Sequence, residues 1–321
     1  MRLPSLAQIE AAAQLVYRRM PPTPQYRWPL LGEAAGTELW LKHENHTPVG
    51  AFKLRGGIVY FAELAAKGEV RGVVAATRGN HGQSVAACAK HHGLAATIVV
   101  PHGNSVEKNA AMRAFGARLV EHGEDFQAAR EFAESLAREE RLHMVPSFHP
   151  LLVAGVASAS LELFRALPDL QTLYVPIGLG SGICAAAAVR NAVGSTADIV
   201  GVVSSQARAY AASFLERKPV EMPVTTRIAD GMACRTPEPG ALEVIWREVD
   251  RIVEVSDDEV ARAIAVIFQC THNCAEGAGA AGFAAVRKEG RRLAGRKVAA
   301  ILSGGNIDRS LFLQALASHE S

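Results

Sequence analysis

The chain has few cysteines, few aromatic residues and no excess of charge of either sign. Its five cysteines include no CxxC pair, which is typical of a reduced protein and not of a disulfide scaffold. Lys and Arg total 34 against 32 Asp and Glu, so the net charge of +2 provides no footprint for nucleic acid or anionic membrane. No apolar run approaches the roughly 18 residues of a membrane span, and the N-terminal segment becomes polar too soon for a signal peptide. These absences predict a cytoplasmic protein.

Small and aliphatic residues are abundant instead. Hydrophobic residues make up 49% of the 321 positions although aromatics are only 6%, and glycine occurs 28 times. Such a chain is long enough to bury a core without disulfides or metals, as two domains or one large α/β unit. The composition suits close packing of Ala-rich helices on a sheet and turns that approach a ligand closely.

Short apolar strands alternate with helix-length segments along most of the chain. The clearest strands cover 37–44, 72–77, 172–177 and 297–302, and a helix is predicted from Ala51 to Lys67. Strands that are apolar on both faces and separated by helices predict a largely parallel sheet covered on both sides. The least regular segment, 218–239, is predicted to be a long surface connection or lid.

Three glycine turns follow predicted strands. They are Gly79–Gly82 (GNHG), Gly178–Gly182 (GLGSG) and Ser303–Asn306 (SGGN). Ligands of open α/β sheets bind at the carboxyl ends of strands, so we expect the three turns to meet at one crevice. GLGSG at a helix start suits an anion held by backbone N–H groups, although a plain βα turn has the same pattern. Ile183 replaces the last glycine of a dinucleotide fingerprint, which argues against that class.

Four residues in or near these turns have functional side chains. Lys53 opens a helix between apolar neighbours, where a lysine becomes a usable nucleophile or base, or is simply a solvated helix residue. Asn80 and His81 lie between a strand and a helix, where donors suit a carboxylate or oxyanion, or where His81 merely bonds to its own turn. Ser303 presents one hydroxyl at a strand end or acts as a helix cap.

The order of these motifs resembles the pyridoxal-phosphate-dependent β-family, and within it the threonine and serine dehydratases and serine racemase. AFKLRGG resembles the family's lysine motif, RGNHGQ its asparagine loop, GLGSG its glycine loop and SGGN its closing serine. The resemblance covers nearly the whole chain. It implies an α/β fold with two open, mostly parallel sheets, helices on both faces, and the cofactor in the cleft between a large domain (1–70 plus 150–321) and a small mobile domain (71–149).

The resemblance also implies residue roles. Lys53 holds the cofactor as a Schiff base and acts as the general base. The rest of the cofactor set is Phe52, Asn80, Gly178, Leu179, Gly180, Ser181, Gly182, Glu276 and Ser303. Thr77, Gly79, Asn80 and His81 form the turn that takes the substrate carboxylate, and Gly231 matches a turn beside the site. A neutral Ser303 opposite the ring nitrogen makes a weaker electron sink, which suits β-elimination.

This sequence departs from the family pattern at two places. Arg78 stands where serine racemase has a serine, and a guanidinium cannot accept the proton that racemisation transfers, so we expect racemisation to be weak or absent. Arg78 either points to solvent or grips a second anionic group, which would favour 3-hydroxyaspartate. The run Ser204–Arg208 has no carboxylate for the family's divalent cation, so we expect no metal there.

The resulting functional prediction is a lyase that removes water from a β-hydroxy amino acid of the L-threonine or L-serine type, giving a 2-oxo acid and ammonia. The alternatives are dehydration of 3-hydroxyaspartate or another β-hydroxy amino acid, racemisation or β-replacement on the same scaffold, and a non-catalytic amino-acid-binding or nucleotide-binding protein. The family habit predicts a homodimer.

Overall fold

The computed structural model describes residues 1–68 and 70–317, which form two sheets surrounded by helices. The larger sheet has the strand order β1-β2-β10-β7-β8-β9 and the smaller one the order β5-β4-β3-β6. Among the strand pairs of the described ranges, β1–β2 is antiparallel and all others are parallel. The strands are β1 (Gln25–Tyr26), β2 (Glu38–His43), β3 (Gly72–Ala76), β4 (Ala95–Val100), β5 (Arg118–Glu121), β6 (His143–Met144), β7 (Thr172–Pro176), β8 (Asp198–Ser204), β9 (Arg251–Val255) and β10 (Lys297–Leu302).

Thirteen α-helices connect and cover the strands within the described ranges. They are α1 (Leu6–Tyr17), α2 (Pro29–Ala35), α3 (Lys53–Ala66), α4 (Asn80–His91), α5 (Val106–Ala114), α6 (Phe126–Glu139), α7 (Pro150–Ala166), α8 (Ser181–Ala192), α9 (Ala209–Glu216), α10 (Pro239–Glu248), α11 (Asp257–Thr271), α12 (Gly277–Glu289) and α13 (Arg309–Ala317). None of these helices is long and apolar enough to cross a membrane. The α/β class with two mostly parallel sheets is confirmed.

Local sequence signals set several boundaries. Ser256 caps α11 in a reciprocal capping box with Glu259, and Ser105 caps α5 by accepting from the Lys108 N–H. The predicted start of α3 at Ala51 is wrong by two residues. Thr47 Oγ1 bonds both the N–H and the carbonyl of Ala51, and Ala51 pairs with Gly304 as an isolated β-bridge. The helix therefore begins at Lys53, next to the end of β10.

The segment 218–239 has no regular element before α10 except a single 3-10 turn at Asp230–Met232. It does not lie wholly at the surface, because Ile228, Ala229 and Met232 are buried against α11 and α12 in the core of the larger sheet. The prediction of a surface connection or lid is therefore wrong for these three buried residues, although Gly231, which lies among them, is exposed. Helix α12, which covers that stretch, was not predicted from the sequence.

The strands of the smaller sheet all lie within 71–149, but its core does not. Helices α3 and α7, on either side of that range, supply Leu54, Ile58 and Leu152 to the same apolar cluster as Val73 and Val85. The division into a large and a small domain at 70/71 and 149/150 stays a prediction.

A buried ionic cluster fixes the start of α3. Arg55 donates to Glu44 from its Nε at 2.6 Å and to Glu162 from its Nη1 at 2.7 Å, and the Lys42 ammonium lies 2.6 Å from Glu162. Arg55, Lys42 and Glu44 have no exposed side-chain surface. Two cations and two carboxylates balance in charge, as a buried cluster requires. The cluster joins β2, α3 and α7, and Arg55, its residue on α3, is two residues after Lys53.

Candidate active site

Lys53 stands at the first position of α3 with its amine turned towards the start of α8. Its Nζ lies 3.3 Å from the Oγ of Ser181 and 5.1 Å from the ring centroid of Phe52. Burial lowers the pKa of Lys53 to about 8. The amine is therefore substantially unprotonated in mildly alkaline solution, which a nucleophile or a base requires.

The glycine turn after β7 has no room for side chains at two of its positions. A Cβ on Gly178 would lie 2.4 Å from the Gly231 carbonyl oxygen, and Gly180 has φ +98° with Ala241 Cβ 2.5 Å from where its own Cβ would be. Gly182 faces the Phe52 ring, whose nearest atom would be 3.8 Å from an added Cβ. Only glycine allows this backbone path and this close packing.

The same turn presents unused donors. Among residues 1–68 and 70–317, no protein acceptor bonds the backbone N–H groups of Gly178, Leu179 or Gly180. Helix α8 begins directly after them at Ser181, and its first-turn N–H groups and dipole add positive potential. Such a turn is an anion site of the phosphate-binding kind.

Asn80 opens α4 and is held at both ends of its amide. Its Nδ2 donates to Glu276 Oε1 at 2.7 Å, and its Oδ1 accepts from Asn306 Nδ2 at 2.8 Å. Glu276 is the N-cap residue of α12, and its Oε2 is buried without a partner in the part of the chain that the structure describes. This pair of bonds fixes the amide plane and leaves one Asn80 N–H unused by either bond.

A buried ion pair lies beside Glu276. The ammonium of Lys108, on α5, is 2.5 Å from Asp230 Oδ2. Burial alone would lower the pKa of Lys108, but Asp230 and Glu276 outweigh it and raise that pKa. Burial raises the pKa of Glu276 to about 7, against the opposing pull of the Lys108 charge. Glu276 therefore has a proton to give or take near neutral pH.

The turn before α4 is compact. Thr77 is buried, and its Oγ1 accepts from the Gly79 N–H at 3.0 Å. His81 is buried too, and burial lowers its pKa to about 3, so the imidazole is neutral. Its Nε2 has no partner within the described residues. Arg78, between Thr77 and Gly79, is exposed.

The end of β10 closes the site from the other side. Ser303 is buried, and its carbonyl accepts from the Phe52 N–H at 3.0 Å. A Cβ on Gly304 would lie 2.6 Å from Glu276 Oε1, so glycine is required there for the carboxylate to reach Asn80.

A cavity of about 310 Å³ adjoins Glu276. Polar and charged side chains dominate its wall, and these are Asn104, Ser105, Lys108, Arg227, Asp230, Glu276, Asn306 and Asp308. The cavity lies between α5, the 3-10 turn and α13, and both residues of the Lys108–Asp230 ion pair line it.

The predicted convergence of the three glycine turns agrees with these contacts. Lys53 meets Ser181, Asn80 meets both Glu276 and Asn306, and Gly231 lies against the loop of Gly178. The functional roles that the resemblance assigns to these residues stay predictions. Within the described residues, no hydrogen bond or ion pair joins the Arg78 side chain to the others.

Sequence reasoning missed Lys108, Asp230 and the role of Asn306. Lys108 is three residues after the Ser105 cap, at a helix start beyond a strand end, and Asp230 immediately precedes Gly231. Lys108 lies beyond the end of β4, and ligands of such sheets bind at the carboxyl ends of strands, so this position could have identified it. Asp230 lies in the irregular segment between α9 and α10 and has no such signal.

The predicted absence of a metal after β8 stays a prediction. Arg208 in that run bonds Glu254 at 2.6 and 3.0 Å. The described residues contain no group of three or more His, Cys, Asp or Glu side chains placed to hold a metal ion.

Comparison with known proteins shows which family this chain resembles in sequence and in structure. The family model for pyridoxal-phosphate dependent enzymes matches residues 17–304. The biosynthetic L-threonine dehydratase of Haemophilus influenzae is 33% identical over 297 residues, or 91% of this chain and 58% of that protein. The L-threonine ammonia-lyase of Thermotoga maritima is 34% identical over 280 residues, or 87% and 70% of the two chains. The processed threonine deaminase isoform 2 of Solanum lycopersicum has a TM-score of 0.90 at 25% identity, covering 99% and 95%.

The chain belongs to the family of pyridoxal-phosphate-dependent enzymes. The resemblance inferred from its motifs is confirmed, and so is the cofactor, pyridoxal phosphate. The chain spans only 58% of the length of the Haemophilus influenzae relative and 70% of the Thermotoga maritima one.

The residues of this pyridoxal-phosphate enzyme fit that cofactor. A phosphorylated aldehyde needs an anion site and an unprotonated amine within one molecule's length of each other. The unused N–H groups of the 178–182 turn supply the first, and the amine of Lys53, 3.3 Å from Ser181 in the same turn, supplies the second. The free Oε2 of Glu276 and the unused N–H of Asn80 add polar partners nearby.

Proposed function

We propose that this chain is an ammonia-lyase that removes water from a β-hydroxy amino acid of the L-threonine or L-serine type, giving a 2-oxo acid and ammonia. The observation that carries the proposal is the position of the Lys53 amine, whose Nζ lies 3.3 Å from Ser181 Oγ in the glycine turn. Burial lowers the pKa of this amine to about 8. The names of the threonine dehydratase and ammonia-lyase relatives support the same substrate class.

The proposed chemistry divides between the cofactor and the protein. When bound, pyridoxal phosphate supplies an electron-withdrawing ring that stabilises negative charge at the substrate Cα. Lys53 holds the cofactor before substrate arrives, and its freed Nζ then accepts the Cα proton. Electrons from the broken Cα–H bond form the Cα–Cβ double bond as the β-hydroxyl takes up a proton and leaves as water. The released enamine tautomerises to an imine, and one water hydrolyses the imine to the 2-oxo acid and ammonia.

The other residues orient these groups. The N–H groups of 178–182 bind the phosphate, and Asn80 donates its unused N–H to the ring oxygen of the cofactor. The turn of Thr77, Gly79, Asn80 and His81 binds the substrate carboxylate. The N–H groups of Asn80 and His81 are its donors, because those of Thr77 and Gly79 already donate to the Val99 carbonyl and to Thr77 Oγ1. Ser303 faces the ring nitrogen with a neutral hydroxyl. This hydroxyl does not keep the nitrogen protonated, which favours prompt loss of a leaving group.

The test compares wild type with Lys53→Ala and with Lys67→Ala, an exposed lysine one residue beyond the same helix. Keto-acid release is measured with both enantiomers of serine, threonine, phenylserine and 3-hydroxyaspartate. We expect wild type and Lys67→Ala to be yellow and active, and Lys53→Ala to lose both the colour and the activity. A wild-type protein that stays colourless after cofactor addition would refute the proposal and leave an amino-acid-binding protein.

A narrower proposal concerns a substrate with a second anionic group. Arg78 is exposed in the turn proposed for the substrate carboxylate, and its guanidinium forms no ion pair within the described residues. The Arg78 guanidinium could form a bidentate ion pair with the β-carboxylate of 3-hydroxyaspartate. Arg78→Ala should then reduce kcat/KM for 3-hydroxyaspartate roughly tenfold or more and spare threonine. Equal losses on both substrates would remove the idea, and rapid D-serine formation by wild type would contradict the expected lack of racemisation.

We also propose a homodimer in the cytoplasm, with residues 71–149 as the smaller domain. Light scattering of the purified protein tests the dimer. Limited proteolysis with and without pyridoxal phosphate tests the domain division, because a mobile smaller domain should be cleaved near 70 and 149 and protected by the cofactor.

A further inference from the structure

Tyr210 forms a hydrogen bond to the backbone of the 178–182 glycine turn. It lies on α9 and is only 1% exposed. Its Oη donates to the Leu179 carbonyl at 3.0 Å and accepts from the Glu238 N–H, also at 3.0 Å. Glu238 is the N-cap residue of α10, so one phenol hydroxyl joins the turn to two helices.

The bond to Leu179 sets the direction of the next donor. The Leu179 carbonyl and the Gly180 N–H belong to one planar trans peptide, in which they point in opposite directions. A carbonyl held towards Tyr210 therefore directs the Gly180 N–H to the opposite side of the turn. That N–H has no protein acceptor within the described residues.

Packing leaves the turn little other support on this side. Ala241 Cβ on α10 lies where a Gly180 side chain would be, and Tyr210 Oη would be 3.6 Å from the same point. Gly180 adopts φ +98°, a region that glycine enters freely, so the peptide has little intrinsic stiffness. Among the described residues Tyr210 Oη is the only donor to the Leu179 carbonyl, so loss of the phenol hydroxyl removes the hydrogen bond that fixes this peptide.

We infer that Tyr210 is a positioning residue for phosphate binding, acting through the Leu179–Gly180 peptide. The inference rests on the proposed role of the 178–182 turn. It differs from a purely structural role in one respect: loss of the hydroxyl weakens binding of a phosphorylated ligand more than that of its unphosphorylated analogue.

The experiment titrates cofactor-free protein with pyridoxal 5′-phosphate and with pyridoxal. Tyr210→Phe removes the hydroxyl and keeps the ring. Tyr174→Phe is the matched control, since Tyr174 is equally buried, and its hydroxyl bonds Glu289 and Arg251 away from the turn. Tyr210→Phe should raise the Kd for pyridoxal 5′-phosphate roughly 5- to 30-fold, as expected for one lost buried hydrogen bond. Its Kd for pyridoxal should stay within about twofold, and Tyr174→Phe should change neither.

A second variant keeps the test decisive if Tyr210→Phe folds poorly. Tyr210→4-aminophenylalanine retains an N–H donor for the Leu179 carbonyl and should restore the affinity for the phosphorylated ligand. The inference is overturned if Tyr210→Phe binds both ligands like wild type or weakens both in equal proportion, or if the amino variant binds the phosphorylated ligand as weakly as a folded Phe variant. Failure of wild type to bind either ligand would instead refute the proposed function.

Discussion

The ammonium of Lys108 lies 2.5 Å from Oδ2 of Asp230, joining the first turn of α5 to the 3-10 turn before α10. The side chain of Lys108 is only 9% exposed and that of Asp230 34%. The pair connects the half of the molecule with the smaller sheet to the loop beside Glu276. Its charge also acts on Glu276, because Lys108 lowers the pKa of that carboxyl.

Lys108→Met should therefore have two effects. The free energy of unfolding falls by about 1–3 kcal/mol, less than for a fully buried pair because Asp230 reaches solvent. The pKa of Glu276 rises, because its nearby cation is gone. Urea denaturation measures the first effect, and NMR titration of labelled glutamate the second. Lys67→Met, which removes an exposed pair with Glu63, should cost about 0.5 kcal/mol or less. Equal losses in the two variants would contradict the burial argument.

The amine of Lys53 should show its lowered pKa in its reactivity. With a pKa of about 8, its reactive neutral fraction rises with pH and levels off above pH 8 to 9. Lysines of ordinary pKa, near about 10.4, become more reactive up to much higher pH. Acetylation rates in the cofactor-free protein, read by peptide mass spectrometry between pH 6 and 10, test this. A Lys53 rate that keeps rising tenfold per unit beyond pH 9 argues against the assigned environment.

Glu276→Gln should change the pH dependence of stability. The pKa of Glu276 is about 7 in the folded protein, above the unfolded value of about 4.3, so the folded state binds more protons between these values. This carboxyl therefore favours folding at low pH and loses that contribution as pH rises through 7. Relative to wild type, the variant gains stability from pH 5 to pH 8, by at most roughly 1.4 kcal/mol per unit.

Thermal unfolding of the two proteins at several pH values measures the difference. Both are compared without cofactor, so that differences in cofactor binding do not enter. A difference that is flat between pH 5 and 8 would mean that Glu276 is ionised throughout that range.

Gly180→Ala should weaken both the fold and cofactor binding. The new Cβ meets Ala241 and forces an alanine into φ +98°, so about 1–3 kcal/mol of overpacking adds to the backbone strain. Gly194→Ala is the control, because Gly194 has φ +70° but open space around it. It should show the strain alone and bind pyridoxal phosphate like wild type. Calorimetry and cofactor titration of both variants make the comparison.

Arg55→Met should be the most destabilising of these substitutions. It leaves Glu44 and Glu162 buried without their shared cation, at a cost of about 3–5 kcal/mol. Arg130→Met removes an exposed pair with Glu134 on α6 and should cost about 0.5 kcal/mol or less. Guanidinium denaturation at neutral pH measures the free energy of unfolding of both variants. A loss below 1 kcal/mol for Arg55→Met would show that the cluster contributes little.

The sequence alone determined the features that depend on local chemistry. Short-range patterns determine the strand ends near 76, 176 and 302, each predicted to within one residue, and the glycine turns after them. They also determine the caps Ser105 and Ser256 and the placement of Lys53 near an apolar site. Parallel strands align their carboxyl ends, so the turns after β7 and β10 of the larger sheet lie at one edge. The turn after β3 belongs to the smaller sheet, and only the packing of the two sheets brings it to the other two turns. The order of the motifs then indicated the family.

Only the tertiary structure decided which side chains face each other across long separations. Lys108 meets Asp230 across 122 positions and Asn80 meets Glu276 across 196. The Oη of Tyr210 reaches Leu179 from a helix that the sequence pattern did not predict. No periodicity specifies such pairs, because they depend on how α5, α9 and α12 pack against loops without regular structure. The pKa values of Lys53 and Glu276 follow from that packing too, because burial sets both of them.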